Sequence, residues 1–480
     1  MWILRTHIFQ RRQPAIMPVA LTVILQFALL STATHCASAE ELRPNIVLIL
    51  ADDLGWTDPA CFGSRYYETP NIDRLCRDGM KFTNAYSNGP NCAPTRACLM
   101  TGRYGPRHGV YTVGSGERGD EKRRKMIPVK NQTNLPLSEV TLADALRAAG
   151  YATGCFGKWH LGNGPEYAPG KRGFDVVAAR SDATPHPATE YLTSEATGFI
   201  RKNANRPFFA YVPYHAVHTP ISAPQPLIEK YKAKPAAGGH QHPDYAAMLE
   251  ELDRGIGRIL ATLDELDLTK NTLVIFTSDN GGVGGYAGAG IRRRPGRENT
   301  DNAPLRGGKG MLYEGGIRVP LIMRWPGHIA AGSNCDEPVI SLDYFPTLLE
   351  IAGAKANAKH HLDGVSLLPL LEQPRGQKIA DRALYWHFPG YLEAGPNSDS
   401  WRTTPAGAIR HGDWKLVEFF ETGTVELYNL REDIGETNNL AGSSPERAQA
   451  LHAELDSWRK AVGAPMPRLK AASQTSRGNR

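Results

Sequence analysis

Five apolar residues run without a break from Ile46 to Leu50, and two acids, Asp52 and Asp53, follow almost at once. An unbroken apolar run of this length predicts a strand buried on both faces of a parallel sheet. The pattern returns at residues 206–212, which lead into a His-rich stretch ending His218-Thr219-Pro220. It returns again at 271–278, which end on Asp279-Asn280-Gly281-Gly282. A shorter run, 151–156, leads into Gly157-Lys158-Trp159-His160-Leu161-Gly162. Between these runs the period changes to that of helices. Pro70 and Asn71 open one, residues 92–99 read as another, and residues 141–149 form a third, stopped by Gly150. In residues 245–266, Ala246, Leu249, Leu252, Ile256, Ile259, Leu260 and Leu263 fall on one face of a long helix. Strands alternating with helices predict an α/β fold with a mostly parallel central sheet.

After residue 373 the pattern changes. Short strand-like runs at 384–388, 408–410, 414–419 and 425–430 are separated by turns and predict a small antiparallel sheet. A helix at 445–461 would cover it, and the basic tail from Arg468 is expected to be disordered. The expected organisation is a leader at 1–39, a catalytic domain at 40–373 and a C-terminal subdomain at 374–480, with 373–377 as the linker. No internal repeat is evident.

Composition narrows this picture. The 480 residues are 41% hydrophobic and 22% charged, as in ordinary globular proteins, and 48 Gly with 35 Pro imply many loops. The first residues carry Arg5, Arg11 and Arg12, an apolar run at 19–30 and the small-residue triplet Ala37-Ser38-Ala39. This is the layout of a secretory signal peptide, so a secreted or periplasmic protein is expected. No other stretch suits a stable membrane span. Removing the three leader arginines from 55 basic residues leaves 52 against 49 acids, which is too balanced to suggest a nucleic-acid partner. Seven cysteines match no zinc spacing, and their pairing is open.

The ends of the buried strands carry the chemistry. In open α/β sheets, ligands sit beyond the carboxyl ends of the strands. Asp52 and Asp53 on one strand, with Asp279 and the Asn280 amide on another, would repel unless a cation lay between them. Such hard oxygens suit Ca²⁺, with Mg²⁺ as the alternative, rather than zinc. A helix opening at Cys92 would present free backbone N–H groups to an anion. Arg96 lies one turn further on. Lys158 and His160, two apart, would face the same way in extended chain. Lys309, between Gly308 and Gly310, sits where the backbone can approach an anion closely.

The stretch Cys92-Ala93-Pro94-Thr95-Arg96-Ala97-Cys98-Leu99-Met100-Thr101-Gly102-Arg103 fits the pattern C-x-P-x-R-x-x-L-x-T-G-R. It resembles the signature of the type I, formylglycine-dependent sulfatases of the alkaline phosphatase superfamily. Thr95 stands where Ser is commoner and keeps the hydroxyl. Residues 157–162, the His-Thr-Pro at 218–220 and the Gly-Lys-Gly at 308–310 resemble the same family in the same order.

The resemblance implies an alkaline-phosphatase-like α/β sandwich with a small C-terminal subdomain, hydrolysing sulfate monoesters. It implies that a maturation enzyme oxidises Cys92 to formylglycine, whose hydrate is the nucleophile. Asp52, Asp53, Asp279, Asn280 and the position-92 oxygen would bind a divalent cation, usually calcium. Arg96, Lys158 and Lys309 would balance charge, His218 would assist the leaving alcohol, and His160 would trigger sulfate release. His215 is the near rival of His218. His387 is a candidate sugar contact from the C-terminal subdomain, and Arg292, Arg293 and Arg294 are weaker candidates in the loop 284–301. The expected substrate is a sulfated sugar or an aryl sulfate. The alternatives are a phosphonate or phosphate ester hydrolase of the same superfamily and a glycan-binding pseudoenzyme with Cys92 unconverted.

Overall fold

The computed structural model describes Trp2 and residues 43–179, 185–290, 298–355, 359–372, 379–393 and 400–470. Apart from Trp2, the expected leader lies outside the described residues, as do the linker at 373–377 and Arg292–Arg294.

The four strands that the apolar runs predict are present, joined by four short ones that the apolar pattern did not mark. They are β1 (Asn45–Ala51), β2 (Met80–Phe82), β3 (Ala152–Phe156), β4 (Val176–Ala178), β5 (Phe208–Pro213), β6 (Thr272–Ser278), β7 (Leu321–Arg324) and β8 (Ser333–Cys335). They form one eight-stranded sheet in the order β8-β2-β7-β6-β1-β5-β3-β4. The neighbours from β6 through β4 are all parallel, and β7 is antiparallel to both β6 and β2. β1 is buried at every residue. Ile46, Leu48 and Leu50 enter the core on one face of the sheet, and Val47, Ile49 and Ala51 the core on the other. That two-sided burial is why the sequence does not alternate.

Helices cover both faces. The long helix α6 (Pro243–Glu265) packs against α4 (Pro185–Lys202), α5 (Gln225–Lys232) and α1 (Pro70–Arg77). Its buried Leu249, Leu252, Ile256, Ile259, Leu260 and Leu263 are the stripe read from the sequence. On the opposite side lie α2 (Cys92–Thr101), buried along its whole length, and α3 (Leu142–Ala148). Thr141 caps α3 by accepting from the Asp144 amide, while the Asp144 carboxylate accepts from the Thr141 amide. Gly102, at φ 65°, ends α2 in the left-handed conformation that favours glycine.

A second sheet, β9 (Ala383–Phe388), β10 (Ala406–His411), β11 (Trp414–Phe419) and β12 (Thr424–Asn429), is antiparallel throughout in that order. Helix α7 (Pro445–Val462) buries Leu451, Leu455 and Trp458 against its apolar face. The tail expected to be disordered from Arg468 pairs at its start: Arg468 and Leu469 lie antiparallel to Ile127 and Met126, and the Lys470 amide donates to the Lys125 carbonyl at 3.1 Å. The backbone there has partners that its polar composition does not reveal. No described helix is long and apolar enough to cross a membrane.

Candidate active site

Four neighbouring parallel strands, β6, β1, β5 and β3, end at the same edge, and each hands the chain directly to polar residues. β1 and β6 run in register, with Ala51 opposite Ser278, so Asp52 and Asp279 emerge side by side. The Asp53 amide donates to the Asp279 carboxylate at 3.2 Å, and the Asn280 side-chain amide donates to the Asp53 carboxylate at 2.8 Å. β5 delivers His215 and His218, and β3 delivers Lys158 and His160.

Cys92 opens α2 and faces this edge. Its Sγ lies 3.4 Å from Asp52 and 3.5 Å from each of the Lys158 and Lys309 ammonium nitrogens. Lys309 Nζ reaches both Asp53 oxygens, at 2.6 and 2.7 Å, and Lys158 Nζ is paired with Asp52. His218 Nε2 is 3.7 Å from Asp53, while its Nδ1 bonds the Thr219 carbonyl, which turns Nε2 toward the carboxylates. One ligand atom from each of Asp52, Asp53, Cys92 and His218 lies within 4.8 Å of all the others.

Arg96 is fully buried, and its donors do not go to position 92. They go to Asp279 at 2.8 and 2.9 Å, to Asp52 at 3.5 Å and to the Lys158 carbonyl at 2.5 Å. Arg96 therefore ties three strand ends together. Lys158 and His160 reach the cluster by a turn and not by extended chain, because His160 is left-handed at φ 61°. Asp53 is left-handed too, at φ 65°. Such backbone is unfavourable for residues with a side chain, and it concentrates where surrounding contacts enforce it for function. Gly157 allows the turn: a Cβ there would stand 2.0 Å from the Pro213 carbonyl oxygen.

Charge is tightly opposed here. Burial alone would raise the Asp52 carboxyl, but Lys158, His218, Arg96 and Lys309 hold it well below the usual range. Burial would lower the Lys309 ammonium, and Asp53 with its neighbours raises it instead. Burial, followed by Lys158 and Arg96, pushes His160 down to about 3, and burial brings His215 to about 4. Both rings are therefore neutral near pH 7. The cluster is also unsatisfied. Asn280 Oδ1, His160 Nδ1 and His215 Nε2 are buried without a hydrogen-bond partner, and such atoms are costly unless something else engages them. The orphan amide oxygen beside three carboxylates fits a hard divalent cation.

His387 is not brought to this cluster. It packs at 5.7 Å from the Phe420 ring and 5.8 Å from the Tyr111 ring, and its Nε2 donates to the Pro465 carbonyl at 2.9 Å. These contacts belong to the seam under the C-terminal sheet. Arg318 and Arg306, which flank the Lys309 loop, are structural: they bond Glu314 and Tyr428 respectively at 2.8 Å. Residues the sequence did not single out also support the site. Asn302 donates at 3.0 Å to the carbonyls of Gly282, Gly284 and Gly307, which lashes the Lys309 loop to the Asn280 turn. Asp58 holds the same loop by accepting from Thr300 at 2.6 Å and from Tyr245 at 2.5 Å. Asn302 stands just ahead of the Gly-Lys-Gly stretch, and only that proximity hinted at its role.

Residues 44–354 match the Sulfatase family, and residues 308–461 match the family described as N-sulphoglucosamine sulphohydrolase, C-terminal. The chain belongs to the sulfatase family. It is a sulfuric ester hydrolase by that membership, with the alkaline-phosphatase-like fold. A sulfatase of Formosa agariphila is 35% identical, over 87% of this chain and 88% of that protein. Human N-acetylgalactosamine-6-sulfatase is 33% identical, over 86% of this chain and 85% of its own length. Among solved structures, Ps i-CgsB in complex with k-i-k-neocarrahexaose aligns with a TM-score of 0.71 and 30% identity, over 87% of this sulfatase and 92% of that chain.

Proposed function

We propose that this sulfatase hydrolyses sulfate monoesters of sulfated carbohydrates at the β6-β1-β5-β3 edge, with Cys92 converted to formylglycine by a maturation enzyme. One observation carries the reading: position 92 lies beside two ammonium groups and a carboxylate pair that arrive from three separate strand or loop ends. A sulfate monoester resists hydrolysis, so its cleavage calls for a strong nucleophile and dense positive charge. Formylglycine hydrate supplies one hydroxyl to attack sulfur and a second whose later deprotonation expels sulfate.

The chain's own residues do the rest. Asp52, Asp53, Asp279 and Asn280 would hold a divalent cation, calcium by preference, which orients the position-92 oxygen and withdraws charge from the sulfate. Lys158 and Lys309 bind the sulfate oxygens and stabilise charge as it develops. Arg96 keeps Asp279 and Asp52 in place as an internal counter-charge. His218 Nε2 stands on the open side of the cluster and protonates the departing alcohol. His160 is neutral, so it can take a proton when sulfate is released.

We place the catalytic domain at 40–373 and the C-terminal subdomain at 374–480, and take the protein to be secreted or periplasmic. The preference for carbohydrate rests on the relatives named above.

The test is a panel: 4-nitrophenyl sulfate, 4-nitrophenyl phosphate, a phenyl phosphonate ester, and singly sulfated mono- and disaccharides, with sulfate or phenol release as the readout. The reading expects sulfate esters to be cleaved at the highest kcat/KM. A higher kcat/KM on the phosphate or phosphonate ester would overturn it. Sugar binding without turnover, with the Cys92 thiol still unconverted after co-expression with a maturation enzyme, would point to a pseudoenzyme.

A further inference from the structure

Among the described residues, two guanidiniums beside the Lys309 turn and the loop after Tyr111 have no carboxylate within ion-pair distance. Arg118 is half-buried in the loop after Tyr111, and its one hydrogen bond among the described residues is to the Val113 carbonyl. That loop is anchored next to the nucleophile position, since the Asn91 amide donates to Thr112 at 2.9 Å and Asn131 accepts from the Tyr111 and Thr112 amides. Arg402 lies on the short strand Trp401–Thr403, which pairs with Leu392–Glu393. Its aliphatic stem lies on the residue after Lys309: a Cβ on Gly310 would stand 2.2 Å from Arg402 Cδ. Its guanidinium lies 5.1 Å from the centre of the Tyr286 ring, and the Tyr286 hydroxyl donates to the Lys309 carbonyl at 2.9 Å.

Glu393 lies between these elements, and the strand pairing at 117 and 391 brings them together. Leu392 packs on the same turn as Arg402, since a Cβ on Gly310 would stand 2.6 Å from Leu392 Cδ2, so the bridge between Glu117 and Tyr391 sets the Arg118 loop beside the Lys309 turn. Yet neither arginine forms an ion pair among the described residues. Arg402 Nε and Glu393 Oε2 are buried without hydrogen-bond partners. Arg96 differs in being ion-paired, with Asp279 at 2.8 Å and Asp52 at 3.5 Å. Two half-buried, unpaired cations repel each other and are unfavourable unless an anion arrives from outside. Guanidinium forks match the oxygens of sulfate and carboxylate groups.

We propose that Arg118 and Arg402 form a subsite for a second anionic substituent, a sulfate or a carboxylate, on the same glycan whose sulfate ester is cleaved, with Glu393 accepting a sugar hydroxyl. The substrate class is then a polyanionic glycan. The inference rests on the placement of the scissile sulfate between Lys158 and Lys309.

The test compares wild type, Arg118→Gln and Arg402→Gln on four probes: 4-nitrophenyl sulfate, a singly sulfated neutral disaccharide, its doubly sulfated counterpart, and a singly sulfated disaccharide containing a uronate. Wild type should prefer at least one doubly charged disaccharide over the singly charged one by about tenfold or more in kcat/KM. Whichever it prefers tells sulfate from carboxylate. Each variant should erase most of that preference while losing far less on 4-nitrophenyl sulfate. Absence of a preference in wild type, or an equal loss on all four probes in a folded variant, overturns the subsite. Should a Gln variant fail to fold, Arg118→Lys and Arg402→Lys keep the charge without the fork and should retain only part of the preference. If wild type cleaves no sulfate ester, the reading of the site fails on its own, and calorimetric binding of the same disaccharides decides the subsite separately.

Discussion

The protein buries two dense sets of charge, and they are built differently. At the seam between the sheets, Lys415 pairs with Glu314 at 2.9 Å and Glu436 at 2.8 Å. Glu314 also accepts from Arg318 at 2.8 Å and from Tyr86 at 2.7 Å, and Glu436 accepts from the Glu314 amide at 2.7 Å. Arg318 and Arg410 finish on Asn84 and Tyr86. Each charge in this set has a partner inside the chain. At the edge of the main sheet, by contrast, Asn280, His160 and His215 keep buried polar atoms unmet, and two ammonium groups stand 3.5 Å from a sulfur that is only a weak acceptor. Buried charge alone therefore does not mark the active site of this sulfatase. A closed network holds the fold, and an open one is shaped for something that must come from outside.

The comparison can be broken most forcefully at position 92. Cys92→Ala should lower kcat for sulfate esters by about 10⁴-fold or more, as expected for losing a nucleophile, with little change in Tm. Comparable loss of Tm and activity would mean that Cys92 serves packing. The opposite result is expected at the seam. Lys415→Met leaves two buried carboxylates facing each other and should destabilise by about 3–5 kcal/mol in urea unfolding. The folded fraction should keep kcat/KM within a few-fold.

His218→Ala sharpens the account of the open set. It should slow cleavage of an alkyl sulfate by about 10²–10⁴-fold, and of 4-nitrophenyl sulfate much less, because nitrophenolate leaves without help. An equal loss on both esters would remove His218 from the proton-transfer role.

The smallest expected effect is a pH slope. Glu314 is held low by Lys415 and the arginines despite its burial, whereas burial pushes Glu436 up to about 7. A carboxyl whose folded value is raised stabilises most below its unfolded value of 4.5 and loses that stability as pH rises through about 7. Glu436→Gln should therefore flatten the decline of unfolding free energy between those values. An unchanged slope would assign the decline elsewhere.

Much of this was legible in the chain because it is local. The apolar runs at 46–50, 206–212 and 271–278 read as two-sided strands, and the polar residues at their ends share one edge because those strands are parallel. The same reasoning put Asp52 and Asp279 together from more than 200 residues apart. Local reading failed where a role depends on what a loop meets. His387 looked available on a strand, but the Pro465 carbonyl and the Phe420 ring take up its contacts. Asn302 gained its role only when three distant carbonyls came within 3.0 Å. Arg118 and Arg402 carry no motif, and only their shared lack of partners draws attention to them.

The most direct measurement is the mass of the peptide containing Cys92, taken from enzyme that is turning over a sulfate ester. The account predicts a side chain lighter by the difference between a thiol and an aldehyde, unreactive to iodoacetamide and reactive to a hydrazide. A fully retained, alkylatable thiol in enzyme of undiminished activity would contradict it.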